Sequence, residues 1–342
     1  MKSFPQRPTL TDVATAAGVS TVTVSRVIEG SVKVTEKTRE RVHEAMDRIG
    51  YFGNAAASQL VSGRATAIGI VTSNTADYGY AATIHGIEKR ARERDMSVLI
   101  SVIEGDDDAS IRKTVSTVAS HALGGVVVVD FDAGAHATIP ALPGYLPVVS
   151  ATGQSEGSVA DRPFVSIDEY QGGAIAAQHL IDLGHRSIFI LAPYDTRPTE
   201  RRSRGILDTL TEARLPHYPV IRCADWRPLS GYNAATEMLD NYGDQVTAIA
   251  CANDEVALGA IRALLDRGLR VPEDVSVVGF DDHPLAAFAS PPLTTIRQDF
   301  EKVGVLSFAL LDALMEGREL PEEFRVQPEL VVRGSTAPPP AR

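Results

Sequence analysis

The chain has 342 residues, is 44% hydrophobic, and carries 33 Lys/Arg against 44 Asp/Glu for a formal net charge of −11. That length suits two or three compact units. No apolar run reaches the roughly 18 residues of a membrane span, and the polar, proline-broken start lacks a secretory apolar stretch, so the protein is expected in the cytoplasm with no membrane partner.

The charge is unevenly spread. Residues 1–64 hold nine Lys/Arg against six Asp/Glu, while the remainder holds 24 against 38. A basic head on an acidic body lets one end approach phosphates. Within the head, Leu10 to Ala17 reads as a short helix with Leu10, Val13, Ala14 and Ala17 on one face. Gly18 makes a turn and Ser20 caps a second helix, Thr21 to Ile28. Ala14, Gly18 and Val24 stand at the spacing of a helix-turn-helix. A third helix follows, with Thr35 as N-cap and Val42, Ala45, Met46 and Ile49 as its buried stripe. If Val24, Val27 and Ile28 point inward, then Ser20, Thr21, Val22, Ser25 and Arg26 face out, offering hydroxyls, a guanidinium and a valine to phosphates, base edges and thymine methyls. The alternative is a small helical bundle that binds a protein. Beyond Tyr51 to Asn54, the segment Asn54 to Val61 offers one more helical stretch of about eight residues, too short to persist alone in water.

The stretch TLTDVATAAGVSTVTVSRVIEGSVKVTEKTRERVHEAMDRIGYFGNAAASQL resembles the DNA-binding head and hinge of the LacI/GalR repressor family. The resemblance implies that the second helix reads the major groove of a double-stranded, palindromic operator, with Thr21, Val22 and Arg26 as the main base readers. It implies hinge contacts from Asn54, Ala57 and Leu60, the leucine wedging into the minor groove. Glu29, Gly53 and Ser58 depart from the family's usual asparagine, proline and arginine, which bears on the operator sequence.

From Ala65 on, apolar runs alternate with amphipathic stretches. The predicted strands are Ile68–Val71, Val98–Ile103, Gly125–Asp130, Pro147–Ala151, Val165–Ile167, Ile188–Ala192, Ala248–Cys251 and Val275–Gly279. The predicted helices include Ile84–Arg94, Ile111–His121, Gly172–Leu183, Gly231–Asn241 and Glu255–Arg267. Such alternation implies two doubly wound lobes of parallel sheet, with ligand bound at the carboxyl ends of the strands. Polar residues fall at those ends: Thr72-Ser73-Asn74, Asn253-Asp254 and Asp281-Asp282. Each has an ordinary reading as a turn or cap. Trp226, the one tryptophan, lies in a polar loop and is read as a stacking surface, since sugars present an apolar ring face and hydroxyls together. The two cysteines, Cys223 and Cys251, are expected as buried free thiols, with no disulfide framework or zinc site.

The body resembles the same family in HLIDLGHRSIFILAP, ERRSRG, DWRPLSGYNAA, ANDEVALGAIRALLDRGLRVPEDVSVVGFDD and PPLTTIRQDF. By position, Arg202, Trp226, Asn253, Asp281 and Gln298 match the family's effector contacts. The loop bearing Asp77 and Tyr78 departs from the family and is taken as a rebuilt part of the pocket, as is Thr152, which stands where a family relative has an effector-contacting aspartate.

The resulting expectation is an all-α helix-turn-helix head (1–53), a hinge and linker (54–64), and an α/β two-lobed, periplasmic-binding-protein-like effector domain (65–340). Its first lobe spans about 65–164 and 300–326, and its second about 165–299 and 327–340. The function implied is a homodimeric, allosteric repressor of carbohydrate-utilisation genes, released from DNA by a mono- or disaccharide that closes the cleft, rotates the first lobes and separates the hinges. No cofactor or metal is expected. A purine- or nucleoside-responsive regulator with ligand as co-repressor, and a sugar-transport protein, are the alternatives. Asp281-Asp282 suggests glycoside hydrolysis, but chain neighbours rarely oppose each other across a substrate, so no enzyme is expected. Leucine heptads are absent from 318–342, and the Pro338–Pro340 run predicts a frayed tail rather than a tetramer-forming helix.

Overall fold

The computed structural model describes residues 8–28, 33–51, 65–151, 162–193, 197–320 and 324–341. Two compact units emerge, Met1–Thr66 and Ala67–Arg342. The expected hinge residues Asn54, Ala57 and Leu60, with Thr152, lie outside the described residues.

In the head, helices α1 (Leu10–Ala17), α2 (Thr21–Ile28) and α3 (Glu36–Ile49) pack around Val13, Ala14, Ala17, Val24, Val27, Val42 and Ala45. Thr9 and Asp12 form a capping box: the Thr9 N–H donates to Asp12 Oδ2 at 2.8 Å, and the Asp12 N–H donates back to Thr9 Oγ1 at 3.4 Å. Gly18 ends α1 at φ 63°, where a side chain would be strained. Ser20 caps α2 by accepting from the Thr23 N–H at 3.2 Å. Thr35 stands at the N-cap of α3 without a side-chain capping bond. Arg48 Nη2 donates to the Ala16 carbonyl at 2.9 Å, tying α3 to α1.

The larger unit runs β1 (Ala67–Thr72), α4 (Tyr78–Glu93), β2 (Ser97–Val102), α5 (Asp108–Ala119), β3 (Val126–Val129), α6 (Ala133–Thr138), β4 (Val148–Ala151), β5 (Phe164–Ile167), α7 (Glu169–Asp182), β6 (Ile188–Pro193), α8 (Arg197–Glu212), β7 (Ile221–Cys223), α9 (Pro228–Tyr242), β8 (Ala248–Cys251), α10 (Asp254–Asp266), β9 (Ser276–Asp281), β10 (Thr294–Arg297), α11 (Phe300–Met315), β11 (Phe324–Val326) and β12 (Glu329–Val331). The strands form two six-stranded sheets, ordered β11-β5-β4-β3-β1-β2 and β12-β10-β9-β8-β6-β7. Every pairing is parallel except β12 on β10. Central strands such as β3 and β6 are buried along their whole length, which is why their sequences run apolar without alternation. No helix among the described residues is long and apolar enough to cross a membrane.

Two expectations need correction. The second lobe does not begin near residue 165, because β5 pairs with β4 through Ser150↔Phe164 and Ala151↔Val165. The chain therefore crosses only after Ile167, and it crosses again between β10 and α11 and between β11 and β12. The tail is docked rather than frayed. Ser335 is fully buried and its hydroxyl donates to the Val277 carbonyl at 2.6 Å, while the Val277 N–H donates to the Ser335 carbonyl at 2.8 Å. The Ala337 carbonyl meets His185 Nε2 at 2.9 Å. Prolines forbid helix here, but they permit an extended chain whose remaining groups pair with the second lobe.

In the second lobe, α7 and α8 approach closely. A Cβ on Gly173 of α7 would lie 2.1 Å from the Arg202 carbonyl oxygen, and one on Gly205 of α8 would lie 2.1 Å from that of Tyr170. These two glycines let the helices cross backbone to backbone.

Candidate functional site

The carboxyl ends of both sheets open on one cleft, as open parallel sheets require. Its empty volume is about 760 Å3 with the open mouth included.

Arg202, on α8, forms the floor and is almost fully buried. Its Nε donates to Glu169 Oε2 at 2.5 Å and its Nη2 to Glu169 Oε1 at 3.2 Å. Nη1 donates to the Ala252 carbonyl, and Nη2 lies 3.5 Å from Asp281 Oδ1. The guanidinium carbon also stands 4.2 Å from the Phe280 ring centroid and 5.5 Å from that of Trp226, in cation–π contact. Burial works against the charge, yet the Glu169 and Asp281 carboxylates hold its pKa above the usual value. Glu169 reaches Arg202 because it opens α7, where the helix N-terminus favours an anion, and because the Gly173–Gly205 crossing brings α8 close.

Asp281 ends β9 at φ 105°. Burial pushes its carboxyl pKa well up, against the pull of Arg202. Gln298, behind the cleft wall, donates Nε2 to Asp281 Oδ1 at 2.9 Å. Asn253 caps α10, accepting from the Val256 N–H at 2.8 Å and donating Nδ2 to the Trp226 carbonyl at 3.1 Å. The cap thereby fixes the tryptophan loop. Asp282 is committed elsewhere, to Arg297 Nε at 2.8 Å and Arg333 Nη2 at 2.6 Å.

The first lobe supplies an aromatic wall. Phe131 stacks at a tilt on Tyr80 (4.7 Å between centroids) and Phe300 (5.8 Å), and Tyr78 meets Phe300 edge-on at 5.9 Å. Asp132 accepts from the Tyr80 hydroxyl at 2.7 Å and from Ser73. Across the cleft, Tyr78 meets His283 of the second lobe edge-on at 4.8 Å; burial lowers the His283 pKa, so the ring is neutral at pH 7. Asp77 precedes α4 at the mouth, held by Asn74 Nδ2 at 2.7 Å.

Of the residues expected from sequence, Asp77, Tyr78, Arg202, Trp226, Asn253 and Asp281 all line the cleft, and Gln298 sits one layer behind. In the head, Ser20, Thr21, Val22 and Arg26 are exposed, Val22 at 56%, whereas Ser25 is half-buried. Glu169, Phe131, Phe300 and His283 escape sequence reasoning. A lone glutamate after a strand carries no local signal, and its partner lies 33 residues away.

Asp254 at the cleft floor accepts from Thr295 Oγ1 at 2.5 Å and from the His283 N–H at 2.6 Å. Burial nevertheless raises its pKa from 3.8 to about 7. The folded state therefore holds this proton more tightly than the unfolded chain. The associated stability is present below pH 4 and lost as pH rises through about 7, on the order of 4 kcal/mol at most. Asp254→Asn should remove that slope: the stability of the variant relative to the wild type should rise steadily between pH 4.5 and 7.5 in urea unfolding. A constant difference across the range would refute the assignment.

A model of bacterial regulatory proteins, lacI family, matches residues 9–54, and a periplasmic binding protein-like domain matches residues 177–336. The chain is 35% identical to the lactose operon repressor of Escherichia coli K12, over 97% of this chain and 91% of that one. It is 34% identical to the HTH-type transcriptional repressor PurR of Proteus mirabilis, over 97% and 98%. Among solved structures, the lac repressor dimer bound to operator and the anti-inducer ONPF superposes with a TM-score of 0.87 at 32% identity, covering 97% of this chain and all of that one.

Proposed function

The chain belongs to the lacI family of bacterial regulatory proteins and is a DNA-binding transcriptional repressor, and we propose that its cleft binds a mono- or disaccharide that releases a homodimer from a palindromic operator of carbohydrate-utilisation genes in the cytoplasm. The observation carrying this reading is the pairing, in one cleft, of aromatic faces (Tyr78, Phe131, Trp226, Phe300) with a rigid hydrogen-bonding floor (Glu169, Arg202, Asn253, Asp281). A sugar ring offers an apolar face to the first and hydroxyls to the second.

Thr21, Val22 and Arg26 are the proposed base readers on α2, and Asn54, Ala57 and Leu60 the proposed hinge contacts. Dimeric action is supported by the solved lac repressor dimer on operator. A non-catalytic cleft is supported by the commitments of its carboxylates: Asp281 to Arg202 and Gln298, Asp282 to Arg297 and Arg333. The ligand must bind the released state better than the DNA-bound one, and a coupling of about 3 kcal/mol gives roughly a hundredfold loss of operator affinity.

The test is fluorescence anisotropy of labelled operator titrated with repressor in the presence of saccharides or nucleobases, with Trp226 emission read in parallel. A saccharide should shift Trp226 emission and weaken operator binding roughly a hundredfold. Tighter operator binding with a nucleobase would replace this reading with the co-repressor alternative, which the same aromatic rings would suit.

A further inference from the structure

We propose that the cleft discriminates against anionic saccharides, sugar phosphates and sugar acids alike, and that Glu169 sets this preference by engaging the buried guanidinium of Arg202. The inference rests on the saccharide reading and narrows it.

Arginine recognises phosphate or carboxylate through two parallel N–H groups of a fixed five-donor fork. Here the fork is already engaged. Nε and Nη2 face the two oxygens of Glu169 at 2.5 and 3.2 Å, Nη1 donates to the Ala252 carbonyl, and the outer side of Nη2 faces Asp281 at 3.5 Å. The other arginine lining the cleft, Arg227, is exposed at the mouth and acts electrostatically on the neighbouring Asp225 and Glu255 carboxylates. The floor guanidinium therefore offers an anion no pair of unengaged donors, and Arg227 stands away from the floor at the mouth.

The rest of the lining is acidic. Asp77, Glu169, Asp254, Glu255 and Asp281 border the same space. Burial, and after it the charge of Asp77, raises the Glu255 pKa, with Arg227 opposing. An added phosphate or carboxylate at the floor would enter a partly dehydrated space beside these oxygens, where the buried guanidinium is already neutralised by Glu169. A neutral sugar meets no such penalty. Its hydroxyls can donate to the remaining lone pairs of Glu169 and Asp281, since a carboxylate accepts at about four positions.

The experiment titrates full-length wild type and Glu169→Gln with matched ligands at pH 7.5: glucose, galactose, lactose and cellobiose; glucose 6-phosphate, galactose 6-phosphate, glucuronate, galacturonate, lactose 6-phosphate and cellobiose 6-phosphate; adenine and hypoxanthine. Affinities are read by calorimetry and by the rise in Tm that binding to the folded state produces. In the wild type, the anionic partner of any neutral sugar that binds should bind at least tenfold more weakly. Glutamine at 169 keeps an oxygen for Arg202 Nε but removes the charge, so the gap between neutral and anionic partners should shrink at least tenfold. A merely structural role for Glu169 would weaken both partners alike. An anionic saccharide that binds the wild type as tightly as its neutral partner, or an unchanged gap in folded Glu169→Gln, overturns the proposal while leaving the saccharide reading intact. If the variant fails to fold, the wild-type comparison alone decides. Binding of nucleobases and of no saccharide, or no binding across the panel, overturns the saccharide reading and this proposal with it.

Discussion

Arg202→Ala is expected to abolish the effector response while leaving ligand-free operator binding at the wild-type level. The proposed DNA-reading residues belong to a separate compact unit, Met1–Thr66, so losing a side chain at the floor of the cleft should leave them unaltered. The floor itself loses its organiser. Glu169 and Asp281 both converge on this guanidinium, and removing one member of a buried ion pair typically costs about 3–5 kcal/mol because the other charge is stranded. Hydrogen bonds to charged groups contribute about 1.5–3 kcal/mol each, so effector affinity should fall about a hundredfold. The two effects separate in Glu169→Gln/Arg202→Ala: neutralising the stranded carboxylate should restore much of the lost stability but not the response. Thermal unfolding and operator release, measured on both variants, check this. A response retained in Arg202→Ala, or operator binding lost along with it, would count against the assignment of the cleft.

Gly173→Ala should damage the same site without touching it. The new methyl would sit 2.1 Å from the Arg202 carbonyl oxygen and 2.9 Å from the carbonyl carbon. These are backbone atoms that cannot rotate away, so α7 and α8 must separate. Overpacking of this kind usually costs about 1–3 kcal/mol and sometimes more, and a contact with fixed backbone belongs at the upper end. Glu169 lies one turn before Gly173 on α7, and Arg202 nearly one turn before Gly205 on α8. Separating the helices therefore stretches the Glu169–Arg202 pair. Binding geometries tolerate about 0.5 Å, so effector affinity should drop at least tenfold. Gly205→Ala should behave alike, its methyl meeting the Tyr170 carbonyl oxygen at 2.1 Å. Gly144→Ala, where a Cβ meets nothing within 4 Å, is the control and should leave both stability and affinity near wild type. Urea unfolding and ligand titration of the three variants decide the matter; a Gly173→Ala protein indistinguishable from the Gly144→Ala control would exclude the helix-crossing argument.

Much of this site is legible in the amino-acid sequence. Strand-end position and family resemblance point to Asp77, Tyr78, Arg202, Trp226, Asn253 and Asp281, and these residues meet in one cleft. Strand ends are legible because buried parallel strands run apolar and stop at their first polar residues, as in AIACAND and SVVGFDD. Glu169 is not legible. Its sequence surroundings look like any helix start, and only the crossing of α7 over α8 turns it from a solvent-facing glutamate into the partner of a buried arginine. The aromatic wall is hidden for a similar reason, since Phe131 and Phe300 come from distant points of the chain that chain crossings fold together. The tail defies its composition because proline content predicts the absence of helix but says nothing about an extended segment finding a groove.

What the amino-acid order alone determined is local: the Gly18 turn and Ser20 cap of the head, the exposed face of α2, and the apolar strands and amphipathic helices of two parallel sheets. These arise from periodicities and caps acting over a few residues, where chain connectivity already holds the groups together. The tertiary structure decided which partner each carboxyl group finds: Glu169 on Arg202, Asp254 on Thr295, Asp282 on Arg333, separated by 33, 41 and 51 residues. Burial makes such pairings matter, because a charge taken from water must find its partner in three dimensions, and no spacing along the chain specifies one.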